Sequence, residues 1–187
     1  INATRKIDGL VLSGSNLQPV LLSKAGKFVA KIERKRLGQS QSSRLLQFLS
    51  FGTFNQAFKP NRTEYDWLSR DNQQVDQYIS DPLCGFSCST GLWHDFLSAL
   101  AELFSKGALD KIQDNLPIFI LGGSQDPVGM MGKGLPKLAK AYEKTGQPNV
   151  SLKVYEQGRH EMLNENNKAE VFTDIISWFD QQHAAIA

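Results

Sequence analysis

Residues 155–165, YEQGRHEMLNE, set one histidine, His160, on a glycine-hinged turn between a strand-like run and the approach to a helix. Asp126 lies upstream in LGGSQDPVG, directly after the apolar run LPIFIL. A carboxylate beside an imidazole has a definite use. It fixes the tautomer, orients the ring, and stabilises the imidazolium formed when the other nitrogen takes a proton from a nucleophile. On that reading Asp126 orients and His160 is the general base. Taken singly, each has a plainer reading: Asp-Pro commonly begins turns, and a histidine at a helix entry can be an ordinary surface residue. Together, in strand-end loops and in the order Asp then His, they point to catalysis.

The elements around them explain why the two loops should meet. Continuous branched and apolar residues predict strands at 10–12, 116–121 and 152–155, each buried on both faces. Between the last two, GKGLPKLAKAYEKTG places Leu135, Leu138, Ala139 and Tyr142 at helical spacing, with Gly146 as a stop. Strand, helix, strand makes a right-handed parallel crossover, and side chains at the carboxyl ends of parallel strands collect in one crevice. A last helix over 167–182 carries Glu170, placed for a capping box, and an apolar stripe of Val171, Phe172, Ile175, Ile176 and Phe179. The first two strands are separated by about 100 residues of a different pattern, helical at 20–36, 43–51 and 92–106 and turn-rich at 58–71 and 78–86. The expected organisation is therefore an α/β core of residues 1–16 and 108–187, interrupted by a helical cap or lid at 17–107.

Composition narrows the function classes. The chain has 187 residues and a formal net charge of +2, too small to imply nucleic acid. Its densest basic run, KIERKR at 31–36, reads as a solvated helix face. Cys84 and Cys88 have no His or Cys cluster nearby, which argues against a metal site and against a disulfide framework. Reduced thiols fit a cytoplasmic protein. No apolar stretch is long enough to cross a membrane, and no signal sequence opens the chain. His94, inside a helical stretch, and His183, in the tail, are read as surface histidines. An apolar run, IDGLVLSGSN, stands within ten residues of the amino end without an initiator methionine before it. A chain that starts beside a buried strand is expected to be the later part of something longer.

These stretches resemble a known family. DGLVLSGSN, FILGGSQDPVGMMGKG and KVYEQGRHEMLNENNKAEVFTDIISWF, with RTEYDWLSRD and VDQYISDPLCGF between them, are similar to the carboxyl-terminal portion of α/β-hydrolases. The nearest branch is that of monoacylglycerol lipases, lysophospholipase-like enzymes and serine aminopeptidases. The resemblance implies hydrolysis of ester bonds, or of amide bonds in the peptidases, by a Ser-His-Asp triad without a cofactor, the expected substrates being acyl esters, monoacylglycerol-like, lysophospholipid-like or smaller, and it matches the family acid and histidine to Asp126 and His160. It also implies a nucleophilic serine in a G-x-S-x-G elbow and oxyanion donors from earlier polypeptide. This sequence has no such elbow.

Its nearest imitation is GFSCSTG, residues 85–91, but the preceding DQYISDPLC is polar and broken by proline, unlike the buried strand that an elbow requires. Ser87 and Ser89 are therefore rejected as nucleophiles, and Ser89 or Thr90 is expected to cap the helix that follows. The expected protein is the carboxyl-terminal half of a serine hydrolase, inert alone and completed by its amino-terminal half. Phe48, Phe51, Phe54 and Phe58 either line an acyl groove or form the cap's own core. The alternative is a non-catalytic module that self-associates through an open sheet edge or binds an apolar ligand under the cap.

Overall fold

Three parallel strands, Leu10–Ser13 (β1), Ile118–Gly123 (β2) and Val150–Tyr155 (β3), form a sheet in the order β1-β2-β3 in the computed structural model. The structure describes residues 7–105 and 107–186. Lys106, where the third helical stretch was expected to end, and positions 1–6 and 187 of the expected core lie outside the described residues. The register sets Leu10 opposite Ile118 and Ile118 opposite Val150.

Only β2 is buried throughout. β1 is half-buried, and β3 exposes Leu152 and Val154, so the expectation of three strands buried on both faces holds for the central one alone. The physical reason is position in the sheet: β2 has a strand on each side and helices over both faces. Alternation along β2 sends Ile118 and Ile120 to one face and Phe119 and Leu121 to the other. The first pair packs against Leu135, Leu138, Ala139 and Tyr142 of helix Gly134–Glu143 (α5), the residues whose spacing predicted that helix. The second pair packs with Val171 and Trp178 of helix Lys168–Ile186 (α6).

The predicted stripe of α6 is corrected in detail. Val171, Ile175 and Trp178 face the sheet, whereas Phe172, Ile176 and Phe179 are exposed, because a short sheet accepts only the i, i+4, i+7 line of a helix. Glu170 does not close a capping box. Its carboxylate accepts instead from the Asn167 side chain at 2.9 Å and from Lys153 Nζ at 3.0 Å.

The chain between β1 and β2 is helical: Val20–Leu37 (α1), Arg44–Ser50 (α2), Asn72–Ser80 (α3) and Thr90–Leu103 (α4), with a 3-10 turn at Phe54–Phe58. Helix α3 covers residues 72–77, which the sequence pattern assigned to no element, and the first three residues of the turn-rich stretch 78–86; Asp71 caps it by accepting from the backbone N–H groups of Gln73 and Gln74 at 3.0 and 3.3 Å. Ser43 caps α2 and Ser89 caps α4, accepting from Leu46 and Leu92 N–H at 3.2 and 3.1 Å. The basic stretch at the end of α1 is solvated except at Glu33, which is buried between Arg36 and Ser43.

Candidate active site

The loops leaving β2 and β3 lie against each other, and glycine makes this possible. An added Cβ on Gly123 would sit 1.9 Å from the carbonyl oxygen of Gly158, so no other residue fits there. The backbones are stitched by Ser124 N–H to Tyr155 O at 2.9 Å, Gln125 N–H to Gly158 O at 2.9 Å and Gln157 N–H to Ser124 Oγ at 2.8 Å. Within the first loop, Met131 N–H donates to the Asp126 carbonyl at 2.7 Å and Val128 N–H donates to its Oδ1 at 2.8 Å. The Asp126 side chain is thereby buried with its other oxygen turned to the neighbouring loop.

That oxygen, Oδ2, stands 3.1 Å from His160 Nδ1. Asp126 is 1% exposed at its side chain and His160 27%, so the pair joins a sheltered acid to a reachable imidazole. With its proton on Nδ1, donated to Asp126, the ring presents Nε2 as a free lone pair.

Two further residues hold the ring. Gly14, at the exit of β1 with φ +62°, brings its backbone so close that an added Cβ would lie 3.0 Å from His160 Cε1 and 3.2 Å from the His160 carbonyl oxygen. Trp67 covers the ring from the helical segment, centroid to centroid 5.3 Å. His160 opens onto a cavity of about 870 Å³, walled by side chains such as Leu22, Leu97, Leu100 and Leu138 from α1, α4 and α5, and by Phe104 just past the end of α4.

The loop carrying His160 is clamped to the helical segment by a buried carboxylate. Glu165 is 0% exposed. It accepts from Arg70 Nε at 2.8 Å and from the backbone N–H groups of Arg70, Arg159 and Asn166 at 3.1, 2.9 and 3.0 Å. Around it His160 N–H donates to Trp67 O at 3.4 Å and Glu161 N–H to Leu68 O at 2.8 Å. The Arg159 guanidinium bonds the carbonyls of Asp66 and Ser69 and lies over the Phe58 ring at 4.2 Å. Its burial pushes its pKa below the usual arginine value. Residues 66–71 and 159–165 thus form one hydrogen-bonded unit.

Residues 1–167 match the family model described as serine aminopeptidase, S33. The chain belongs to the serine aminopeptidase S33 family. Its three parallel strands and flanking helices are a partial α/β-hydrolase fold. Among solved structures, the chain is similar to a highly thermostable carboxyl esterase from Bacillus coagulans determined in complex with glycerol, with 25% identity and a TM-score of 0.82 over 94% of this chain and 57% of that one. A soluble variant of monoglyceride lipase from Saccharomyces cerevisiae, in complex with a substrate analog, shares the fold at 21% identity and a TM-score of 0.62, over 94% of this chain and 54% of that one. Paleococcus ferrophilus monoacylglycerol lipase does so at 20% identity and 0.62, over 95% of this chain and 60% of the other. The chain thus spans less than two thirds of the length of each. No curated protein sequence matched it.

In this S33 family member the other sequence-derived candidates lie away from the imidazole. His94 pairs with its neighbour Asp95 at 3.0 Å on α4, and His183 is exposed on α6. Ser89 is occupied as a helix cap, and Ser87 is exposed on the wall of a separate cavity. Among the described residues no serine hydroxyl is hydrogen-bonded to His160, no helix is long and apolar enough to cross a membrane, and no His, Cys, Asp and Glu cluster could hold a metal ion. Cys84 and Cys88 are free thiols, both pushed to higher pKa by burial.

The phenylalanine window divides. Phe51 and Phe54 line the His160 cavity, Phe48 is turned outward, and Phe58 stacks under Arg159. Gly14, Trp67, Arg70 and Glu165 were not singled out from sequence. The only cue was Gly14 itself, a glycine directly after a predicted strand; nothing local marks the other three.

Proposed function

We propose that this chain supplies the acid and the base of a Ser-His-Asp triad in an enzyme that hydrolyses acyl esters. The observation that carries the reading is the 3.1 Å contact of Asp126 Oδ2 with His160 Nδ1, in adjoining strand-exit loops at the wall of a large apolar cavity. Asp126 holds the Nδ1 proton and the ring plane. Nε2 takes the proton of a serine hydroxyl as its Oγ bonds to the ester carbonyl carbon. It returns that proton to the departing alcohol oxygen as the C–O bond breaks, and the same cycle with water frees the acid. Residues 17–107 serve as a cap over residues 1–16 and 108–187, and the cavity between them takes the acyl chain. The carboxyl esterase from Bacillus coagulans and the apolar walls favour an ester of a monoacyl lipid or small acid over a peptide amide.

The serine and the oxyanion donors come from polypeptide outside this chain. This rests on the absence of a G-x-S-x-G sequence and on the share of the esterase that the chain spans. The test compares this chain with one extended by the upstream polypeptide, using a fluorophosphonate probe and p-nitrophenyl butyrate. Labelling and turnover are expected only in the extended protein, with turnover lost on His160→Ala. Labelling of Ser87 or Ser89, or turnover that survives His160→Ala, would sink the proposal.

Among the described residues β1 is an edge strand, and this edge with the apolar cavity also favours a second reading, a ligand-binding module that pairs through β1 with another copy. A concentration-dependent dimer that lacks turnover even when extended would select it.

A further inference from the structure

The end of β1, residues 10–16 with the sequence LVLSGSN, lies beside both members of the acid–base pair. Gly14 sits against the His160 ring. Two residues further on, the Asn16 side chain reaches the loop that carries Asp126, where its Nδ2 donates to Val128 O. Among the described residues no other side-chain hydrogen bond joins residues 14–19 to residues 124–133.

That loop runs against local backbone preference. Met130 and Met131 hold φ of +56° and +54°, followed by Gly132 at +76°, so two non-glycine residues stand in the left-handed region. Such a conformation persists only where the surroundings enforce it. Asn16 touches both ends of the left-handed stretch. Its amide holds Val128 on one side, and its Cβ packs against Gly134 on the other, where an added Cβ would lie only 3.1 Å away. Between them Gly134 N–H donates to Gly129 O at 2.8 Å.

Val128 links this tie to the acid. Its N–H donates to Asp126 Oδ1 at 2.8 Å, which leaves Oδ2 to meet His160 Nδ1 at 3.1 Å. Gly129 closes the flank, since an added Cβ there would stand 3.2 Å from Oδ2. The rotation of a carboxylate is set by what its oxygens accept, and the donor on Oδ1 belongs to a residue that Asn16 holds by its carbonyl.

We infer that Asn16 is a positioning residue for the acid–base pair: by fixing Val128 it turns the Asp126 carboxylate so that Oδ2 faces the imidazole. Its effect on turnover rests on the proposed roles of Asp126 and His160, whereas the contact it orders belongs to this chain whatever the reaction. Asn16 touches neither the ring nor the carboxylate in this role; it acts through Val128.

Asn16→Ala keeps the carbon that packs on Gly134 and removes only the amide. Asn16→Asp keeps the shape and presents an acceptor where a donor is needed. The readout is ¹⁵N NMR of the His160 ring in this chain at alkaline pH, where a neutral imidazole reports which nitrogen carries its proton. The unaltered chain is expected to carry it on Nδ1. Both variants should move the population toward the Nε2 tautomer that unconstrained histidine prefers, and speed exchange of the Nδ1 proton about tenfold, the ratio that one hydrogen bond supplies. A loss of global stability alone would leave the tautomer where it was. In the extended polypeptide Asn16→Ala should lower kcat about tenfold with little change in KM. A ring protonated on Nε2 in the unaltered chain, or a tautomer and exchange rate unchanged in Asn16→Ala, overturns the inference; the first of these needs no variant, and Asn16→Asp replaces Asn16→Ala should that one fail to fold. Turnover that survives His160→Ala removes the catalytic reading instead, and the tautomer still decides the role of Asn16.

Discussion

Replacing Glu165 by alanine should detach the His160 loop from the helical segment. The substitution removes a fully buried carboxylate and leaves four donors without it: the guanidinium of Arg70 and the backbone N–H groups of Arg70, Arg159 and Asn166. Arg70 is 23% exposed at its side chain, so water recovers part of its hydration. The three backbone bonds are part-buried, and an unmade buried hydrogen bond costs about 1–3 kcal/mol. Discounting for water that enters the vacated space, and against the range for breaking a buried pair by removing one partner, the expected loss is about 3–5 kcal/mol. In a domain of this size that lowers the thermal midpoint by about 10 °C. The assay is equilibrium urea unfolding of this chain, with amide hydrogen exchange at residues 159–161 as the local readout. Glu165→Gln keeps an acceptor and should lose about half as much. A change below about 1 kcal/mol in Glu165→Ala, with protection at 159–161 unaltered, would show that the clamp does not hold the loop.

Other consequences are equally direct. Gly123→Ala places a methyl 1.9 Å from the Gly158 carbonyl and should cost more than about 4 kcal/mol, read as loss of the cooperative unfolding transition. The Arg36 and Ser43 hydrogen bonds hold Glu33 down from an ordinary 4.5 to about 2. A depressed carboxyl contributes stability above its unfolded pKa and loses it as pH falls through the folded value, so this contribution should fade from about pH 4.5 to about pH 2. The thermal midpoint of Glu33→Gln should accordingly fall less steeply across that window than that of the unaltered chain. In the extended, active polypeptide, Asp126→Asn should lower kcat by about 10⁴-fold with little change in KM, because the ring is then held in the wrong tautomer; a loss under tenfold, measured with the same ester, would remove Asp126 from the triad.

The residue pattern alone settled the layered α/β arrangement. The run before Gly122-Gly123 reads as a buried strand, the spacing of Leu135, Leu138, Ala139 and Tyr142 as a helix lying on it, and a parallel crossover carries two successive loops to the same edge. Those are local periodicities, and they bring Asp126 and His160 near each other. Exposure along β3 and on the outer side of α6 was not legible, because a side chain's burial depends on which neighbours arrive, and a residue's own type does not name them. Nor was α3, whose polar sequence carries little periodic signal beyond its Asp71 cap. The features that finish the candidate site arise from contacts between segments distant in sequence: Trp67 on the imidazole, Gly14 beneath it, and the Glu165 carboxylate gathering donors from residues 70, 159 and 166. A carboxylate at position 165 reads as a surface charge until the fold surrounds it with N–H groups, since burial and partner geometry exist only once the chain has closed on itself.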